Sequence, residues 1–277
     1  MKSTGPIGIF DSGLGGLTVM KSIASQLSAY SYLYLGDSAR APYGPLDFET
    51  VYRYTVEAVR WLFDQGCPLV ILACNTASAK ALRNIQQKDL PQWEDPTKRV
   101  LGVIRPTTEV IGDYTETKHI GILGTRGTVE SGSYVIEIGK SFPDVHVHQM
   151  ACPTWVPLVE SGDYLDQSKS DPVIRECLLN LVSEHDDIDT ILLACTHYPL
   201  LYPRIRAMLP PDIQVVSQGE IVAESLAHYL QRHPEMETRL EKGGTFRFYT
   251  TGDVASFEQA AGMFWGQALQ AFTAKLS

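Results

Sequence analysis

Two cysteines stand where chemistry is plausible. Val70-Ile-Leu-Ala-Cys-Asn-Thr76 and Ile191-Leu-Leu-Ala-Cys-Thr-His197 each run an apolar stretch into a Cys and then into small polar residues. A thiol at such a strand end, just before a helix, meets unpaired backbone N–H groups and the positive end of the helix dipole. Both favour its thiolate. A lone cysteine ending a core strand needs no function, and Cys67, Cys152 and Cys177 read as structural; the pairing of Cys74 with Cys195 is what carries weight. If the two thiols approach one ligand from opposite sides, they are too far apart to form a disulfide, which needs its sulfurs in bonding contact. They are well placed to take a proton from one face of a carbon and deliver another to the opposite face. A thiol suits that work, because its ordinary pKa of ~8.5 can be lowered toward neutral pH by its surroundings. The implied reaction is stereochemical inversion at an acidic C–H.

Other segments could serve the same centre. Asp11-Ser12-Gly13-Leu-Gly15-Gly16 is a Gly-rich turn whose backbone N–H groups could receive a carboxylate or phosphate at a helix N-terminus. It lacks the G-x-G-x-x-G pattern of dinucleotide sites, no Walker A sequence occurs, and a plain strand-to-helix turn is the alternative. Asp11 beside an anion site points to contact with an ammonium group or a thiol. His197, two residues past Cys195, would share its side of an extended segment and could relay its proton; a capping or solvent-facing role is the alternative. A metal site through Cys195-x-His197 lacks a second ligand pair. The stretch from Gly36-Asp-Ser38 to Pro42-Tyr43-Gly44 reads as a pocket wall or an ordinary turn. No Arg or Lys lies in the two Cys motifs, so neutral donors at Asn75, Thr76 and Thr196 are expected to bind any carboxylate.

These residues need elements to position them. Short apolar runs alternate with amphipathic ones, the pattern of a parallel sheet wrapped by helices. Strands are predicted at 7–10, 32–35, 69–73, 119–123, 145–148, 190–194 and 214–216, with 246–250 as a candidate. Helices are predicted at 14–28, 47–65, 76–87, 131–140, 171–185, 200–208, 221–231 and 255–264. The chain repeats itself. Gly8-Ile-Phe-Asp-Ser-Gly13 is echoed by Gly121-Ile-Leu-Gly-Thr-Arg-Gly127, and the two Cys segments echo each other at a similar offset. A duplicated unit implies an α/β fold of two similar α/β lobes with mostly parallel sheets, with the site in the cleft between them. The expected division is 1–102 plus 217–277 for the lobe carrying Cys74 and 103–216 for the lobe carrying Cys195, with the break near Gly102–Thr107.

Composition bounds the remaining classes. The 277 residues are 44% hydrophobic and 20% charged, which excludes a disordered chain. A net charge of −9 argues against a nucleic-acid surface. No apolar run approaches a membrane span, and the opening residues are too short in apolar core for a signal peptide. With so little chain ahead of the first strand, regulation through an N-terminal extension is not expected. Five cysteines without a CxxC pair point to reduced thiols and a cytoplasmic location.

The motifs Ile7-Gly-Ile-Phe-Asp-Ser-Gly-Leu-Gly-Gly16, Tyr34-Leu-Gly-Asp37, Ala41-Pro-Tyr-Gly44, Leu72-Ala-Cys-Asn-Thr-Ala-Ser78, Ile122-Leu-Gly-Thr125, Leu193-Ala-Cys-Thr-His-Tyr-Pro-Leu200 and Gly252-Asp253 span nearly the whole chain. Together they resemble the cofactor-independent glutamate racemases, and the resemblance implies two α/β/α lobes related by a pseudo-twofold, in agreement with the repeat. The resemblance implies that Cys74 and Cys195 are the catalytic thiols, Cys74 acting on D-glutamate and Cys195 on L-glutamate, and that Asp11 and His197 assist them. It implies that Ser12, Tyr43, Gly44, Asn75, Thr76, Thr125 and Thr196 hold the amino acid together with Asp11 and His197, and that Glu160 lies near the second thiol. Arg105 departs from the family's pattern, which puts the lobe boundary or subunit contacts in question. The implied reaction needs no cofactor and no metal. Its small-molecule partner is glutamate, its product serves peptidoglycan synthesis, and neither nucleic acid nor membrane is involved. A homodimer is compatible with the sequence without being fixed by it. Racemisation of aspartate or another small amino acid, and a non-catalytic protein that clamps a small anion, remain as alternatives.

Overall fold

The computed structural model describes residues 4–276, so the first three residues of the opening segment lie outside it. Its strands are β1 (Ile7–Asp11), β2 (Tyr32–Gly36), β3 (Leu69–Leu72), β4 (Arg99–Gly102), β5 (His119–Gly124), β6 (His146–Ala151), β7 (Thr190–Ala194), β8 (Gln214–Ser217), β9 (Phe246–Thr250) and β10 (Ala271–Thr273). The helices are α1 (Gly16–Gln26), α2 (Phe48–Asp64), α3 (Asn75–Lys80), α4 (Leu82–Asn84), α5 (Ile104–Thr108), α6 (Arg126–Glu130) and α7 (Ser133–Ser141). They continue with α8 (Trp155–Glu160), α9 (Gln167–Glu184), α10 (Tyr202–Met208), α11 (Gln218–Arg232), α12 (Pro234–Glu237) and α13 (Val254–Trp265).

The strands form two sheets, one ordered β10-β9-β2-β1-β3-β4 and the other β6-β5-β7-β8, and every strand pairing in both is parallel. The central strands of β1, β2, β3 and β7 are buried along their whole length, which is why their sequences read as unbroken apolar runs rather than alternating ones. The order β2-β1-β3-β4 matches β6-β5-β7-β8 strand for strand. Registers match too: Gly8 pairs with Val70 between β1 and β3, and Gly121 pairs with Ile191 between β5 and β7. The residues that echo each other in sequence therefore occupy equivalent lattice positions in two copies of one unit.

Helix starts follow local chemistry. The Asp47 carboxylate accepts from the Thr50 amide at 2.9 Å to open α2, and Asp253 accepts from Ser256 at 2.8 Å to open α13. Several expectations shift. The predicted helix 76–87 breaks into α3, α4 and a π-helical turn over Ile85–Asp89. Pro106 sits in the first turn of α5, where its missing N–H has no intrahelical partner to lose. The stretch near Gly102 is thus a strand-to-helix turn. β8 includes Ser217, so the second sheet reaches one residue past the expected crossing. The short β10 and the short helices α6, α8 and α12 carry too little periodicity to be read from sequence. Arg105 is exposed and pairs with Glu109 at 2.7 Å one helical turn on, a surface ion pair of small energetic consequence. Among the described residues, no helix is long and apolar enough to cross a membrane.

Candidate active site

In a parallel sheet, ligands bind beyond the carboxyl ends of strands, at the point where the strand order reverses. In the first sheet that point lies between β1 and β3; in the second it lies between β5 and β7. Asp11 ends β1, Cys74 follows β3, Thr125 follows β5 and Cys195 follows β7. The four segments meet at one cavity of about 250 Å³, lined by Ser12, Tyr43, Gly44, Cys74, Asn75, Thr76, Thr125, Cys195, Thr196 and His197 among others. A larger, more open cavity of about 550 Å³ lies on the other side of Thr196 and the start of α11, but it touches only one of the two thiols. Every residue singled out from sequence as catalytic or substrate-holding lines the smaller cavity except Asp11, which is fully buried directly behind it.

Cys74 opens α3 and its Sγ lies 3.5 Å from both the Ala77 amide and the Ser12 hydroxyl. The helix start does not win here. Burial, followed by the nearby Asp11 charge, pushes the Cys74 thiol up to about 12 against the lowering effect of those two contacts. Cys195 Sγ stands 3.9 Å from His197 Nδ1, and His197 Nε2 stands 2.9 Å from Glu160 Oε1. Burial alone would lower the imidazole, but its bonds to Cys195 and Glu160 outweigh that and raise it to about 10. A chain of thiol, imidazole and carboxylate results.

Asp11 is raised above the usual carboxylate range by burial, while His197, the Gly13 and Gly16 amides and Thr196 act in the opposite direction. Its carboxylate accepts from the Gly13 amide at 2.9 Å and from the Thr196 hydroxyl at 3.3 Å. Asp11 thus takes the Gly13 and Gly16 N–H groups of the Gly-rich turn for itself, while Ser12 still lines the cavity. The glycines also serve close approach. A Cβ on Gly15 would lie 2.2 Å from Thr196 Oγ1 and 2.5 Å from His197 Nδ1, so only glycine lets the first lobe's turn sit against the second lobe's loop that carries Cys195. Thr18 Oγ1 completes the junction by donating to the Thr196 carbonyl at 2.9 Å.

Tyr43 lines the cavity with its hydroxyl turned away. That hydroxyl donates to Asp37, which also accepts from Arg40 Nε and Thr251 Oγ1 at 2.7 Å each. Tyr43 therefore offers ring and backbone, not its O–H. The Gly44 carbonyl accepts from the Gly127 amide at 3.0 Å, which ties this loop across to the other lobe. Asn75, Thr76 and Thr196 are nearly fully buried, and Thr125 is little more exposed.

Among the lining residues that were not anticipated, Arg126 and Cys152 carry polar or reactive groups. Arg126, exposed beside Thr125, brings a cation to a site expected to rely on neutral donors alone. Cys152 also borders the cavity, just past β6, while remaining fully buried in the core. The signal that could have found it is positional: β6 is the counterpart of β2, whose end leads to Asp37 and the Tyr43 loop. Among the described residues, no group of three or more His, Cys, Asp or Glu side chains is arranged to hold a metal ion.

The chain is similar over nearly its whole length to known racemases. The profile of the family described as Asp/Glu/Hydantoin racemase matches residues 7–226. A glutamate racemase from Bacillus cereus is 39% identical over 270 residues, covering 98% of this chain and 96% of its own. The crystal structure of a glutamate racemase isoform from Bacillus anthracis superposes with a TM-score of 0.89 at 34% identity, covering 100% of this chain and 99% of that one. A glutamate racemase from Francisella tularensis, solved in complex with D-glutamate, gives 0.84 at 28% identity over 98% of both chains.

Proposed function

The chain belongs to the Asp/Glu/hydantoin racemase family, and we infer that it interconverts L- and D-glutamate by proton transfer between two thiols. The carrying observation is that Cys74 and Cys195 occupy equivalent strand ends of a repeated unit and open on one cavity of amino-acid size. Glutamate lies between them with Cα between the sulfurs. Cys195 takes the Cα proton of L-glutamate while Cys74 supplies one to the opposite face; for D-glutamate the roles reverse.

Each thiol has its own assistant. His197, held by Glu160, faces Cys195 and relays its proton. Asp11 lies behind Cys74 and the substrate, and its charge resists accumulation of a second negative charge there. The substrate carboxylates are received by Ser12, Asn75, Thr76, Thr125 and Thr196, by the backbone of Tyr43 and Gly44, and by Arg126 at the mouth. Such fixed donors also stabilise the charge that develops when Cα loses its proton. A protein that only binds a small anion has no use for two thiols at matched positions. The product supplies peptidoglycan synthesis in the cytoplasm.

The test is racemisation of L-glutamate, and separately of L-aspartate, by the purified protein without added cofactor, followed by circular dichroism. Loss of optical activity with glutamate is the expected result. Loss with aspartate alone would reassign the substrate, and no change with either would leave a binding protein.

A further inference from the structure

Asn75 lines the cavity, yet its amide is already engaged on the far side. Its Oδ1 accepts from the Tyr134 hydroxyl at 2.6 Å, and its Nδ2 donates to Gln218 Oε1 at 2.8 Å. Gln218 Nε2 in turn faces three acceptors, the Tyr134 hydroxyl at 2.6 Å, Thr107 Oγ1 at 3.0 Å and the Val103 carbonyl at 3.3 Å, and shares its two protons among them. Three side chains thus close a ring of hydrogen bonds, all of them buried. Asn75 stands on α3 of the first lobe; Thr107, Tyr134 and Gln218 stand on α5, α7 and α11.

The polarity of this ring is not free. A backbone carbonyl can only accept, so Val103 fixes which end of the Gln218 amide is the NH2 group. The Thr107 hydroxyl gives its own proton to the same carbonyl at 2.9 Å and so accepts from Gln218 as well. Gln218 Oε1 must then face Asn75, which forces Asn75 to present Nδ2 there and Oδ1 to Tyr134. Reversing the Asn75 amide would set oxygen against oxygen at Gln218. One Nδ2 proton is committed to the ring, which leaves the other free for a ligand in the cavity that Asn75 lines.

We propose that Gln218 and Tyr134 are positioning residues that lock the orientation of the Asn75 amide, so that an N–H rather than a carbonyl oxygen meets a substrate carboxylate. This rests on the reading of the cavity as a glutamate site. Because the ring crosses from one lobe to the other, the donor is correctly aimed only when the two lobes are packed together.

Tyr134→Phe removes only the hydroxyl and is the first test. The expected result is a KM for glutamate raised about tenfold in both directions, with kcat within about twofold, the pattern of lost substrate binding. Gln218→Met keeps the volume, carries the same expectation, and decides the matter if Tyr134→Phe does not fold. In an Asn75→Ala background, either change should add nothing to KM, because residues acting through one another are not additive. An unchanged KM, a fall in kcat alone, or full additivity with Asn75→Ala would overturn the positioning role. If the unmodified protein fails to racemise glutamate, the functional reading falls and this inference falls with it; if it racemises glutamate and the variants match it, only the positioning role is lost.

Discussion

The hydroxyls of Thr76 and Thr125 lie 2.9 Å apart, one from each lobe, at the junction of the two sheets. Thr125 also accepts from the Thr128 amide at 3.2 Å as the cap of α6 and exchanges a hydrogen bond with the Thr128 hydroxyl at 3.0 Å. Two hydroxyls side by side in a buried cleft make a fitting pair of donors for the two oxygens of one carboxylate.

Thr76→Val keeps the shape and removes one donor. Leaving a buried carboxylate short of a partner costs about 1–3 kcal/mol, so kcat/KM for glutamate should fall roughly tenfold or more while the thermal midpoint moves little. Steady-state kinetics with a melting curve checks both. An unaltered kcat/KM would remove Thr76 from the site.

The His197–Glu160 contact carries a pH signature. His197 is raised to about 10 in the folded protein from an ordinary value near 6.5. Its stabilising contribution is whole below pH 6.5 and is lost as pH rises through about 10. The thermal midpoint should therefore decline between pH 7 and pH 10, and His197→Asn should flatten that decline. A variant whose midpoint falls just as steeply would show that another group titrates.

Cys74 should be a sluggish nucleophile at neutral pH despite opening a helix. Only the thiolate alkylates, and a thiol raised to about 12 gains thiolate over the whole range below. Iodoacetamide labelling of the Cys74 peptide, followed by mass spectrometry, should rise about tenfold per pH unit from pH 7 to 10. Asp11→Asn should speed it, because the carboxylate charge contributes to the raised value. A rate that levels off by pH 8 contradicts the assignment.

Assistance should be directional. With His197 at Cys195 and Asp11 beside Cys74, His197→Asn and Asp11→Asn should unbalance kcat in opposite senses, each by about 10²–10⁴-fold in its worse direction. The equilibrium constant holds kcat/KM equal in the two directions, so the imbalance appears in kcat and KM separately. Equal kcat losses in both directions for both variants would dissolve the pairing.

Deuterium reports the two-thiol step itself. In D2O, early product should carry deuterium at Cα while recovered substrate stays protonated, because the incoming proton comes from a thiol already exchanged with solvent. Cys74→Ala or Cys195→Ala should abolish racemisation, since one face then lacks its acid or base. Early substrate as deuterated as product, or near-normal racemisation by Cys195→Ala, would refute the mechanism.

Much of this was legible in the chain. Val70–Thr76 and Ile191–His197 are strand-then-turn segments whose apolar runs and cysteines are local facts, and their repetition carried the two-lobe architecture with it. Parallel strands buried on both faces must be apolar throughout, so β1, β3 and β7 announced themselves. The short β10 and the one-turn helices did not, because three to six residues hold no period.

What the sequence could not decide is where side chains turn once two lobes pack. Tyr43 has the composition of a ligand donor, yet Asp37 takes its hydroxyl. Asp11 looks like an anion-loop oddity until its carboxylate is seen to accept from the loop's own Gly13 N–H. The thiol of Cys74 is governed by burial, a property of the assembled core, rather than by the helix it begins. Arg126, Cys152 and the Asn75–Tyr134–Gln218 ring are near one another only through packing across separations of up to 143 residues. Hydrogen-bond partners and burial arise between segments far apart in the chain, so only the tertiary structure sets them; strand identity and the repeated thiol are written within a few neighbouring residues, and the sequence alone suffices.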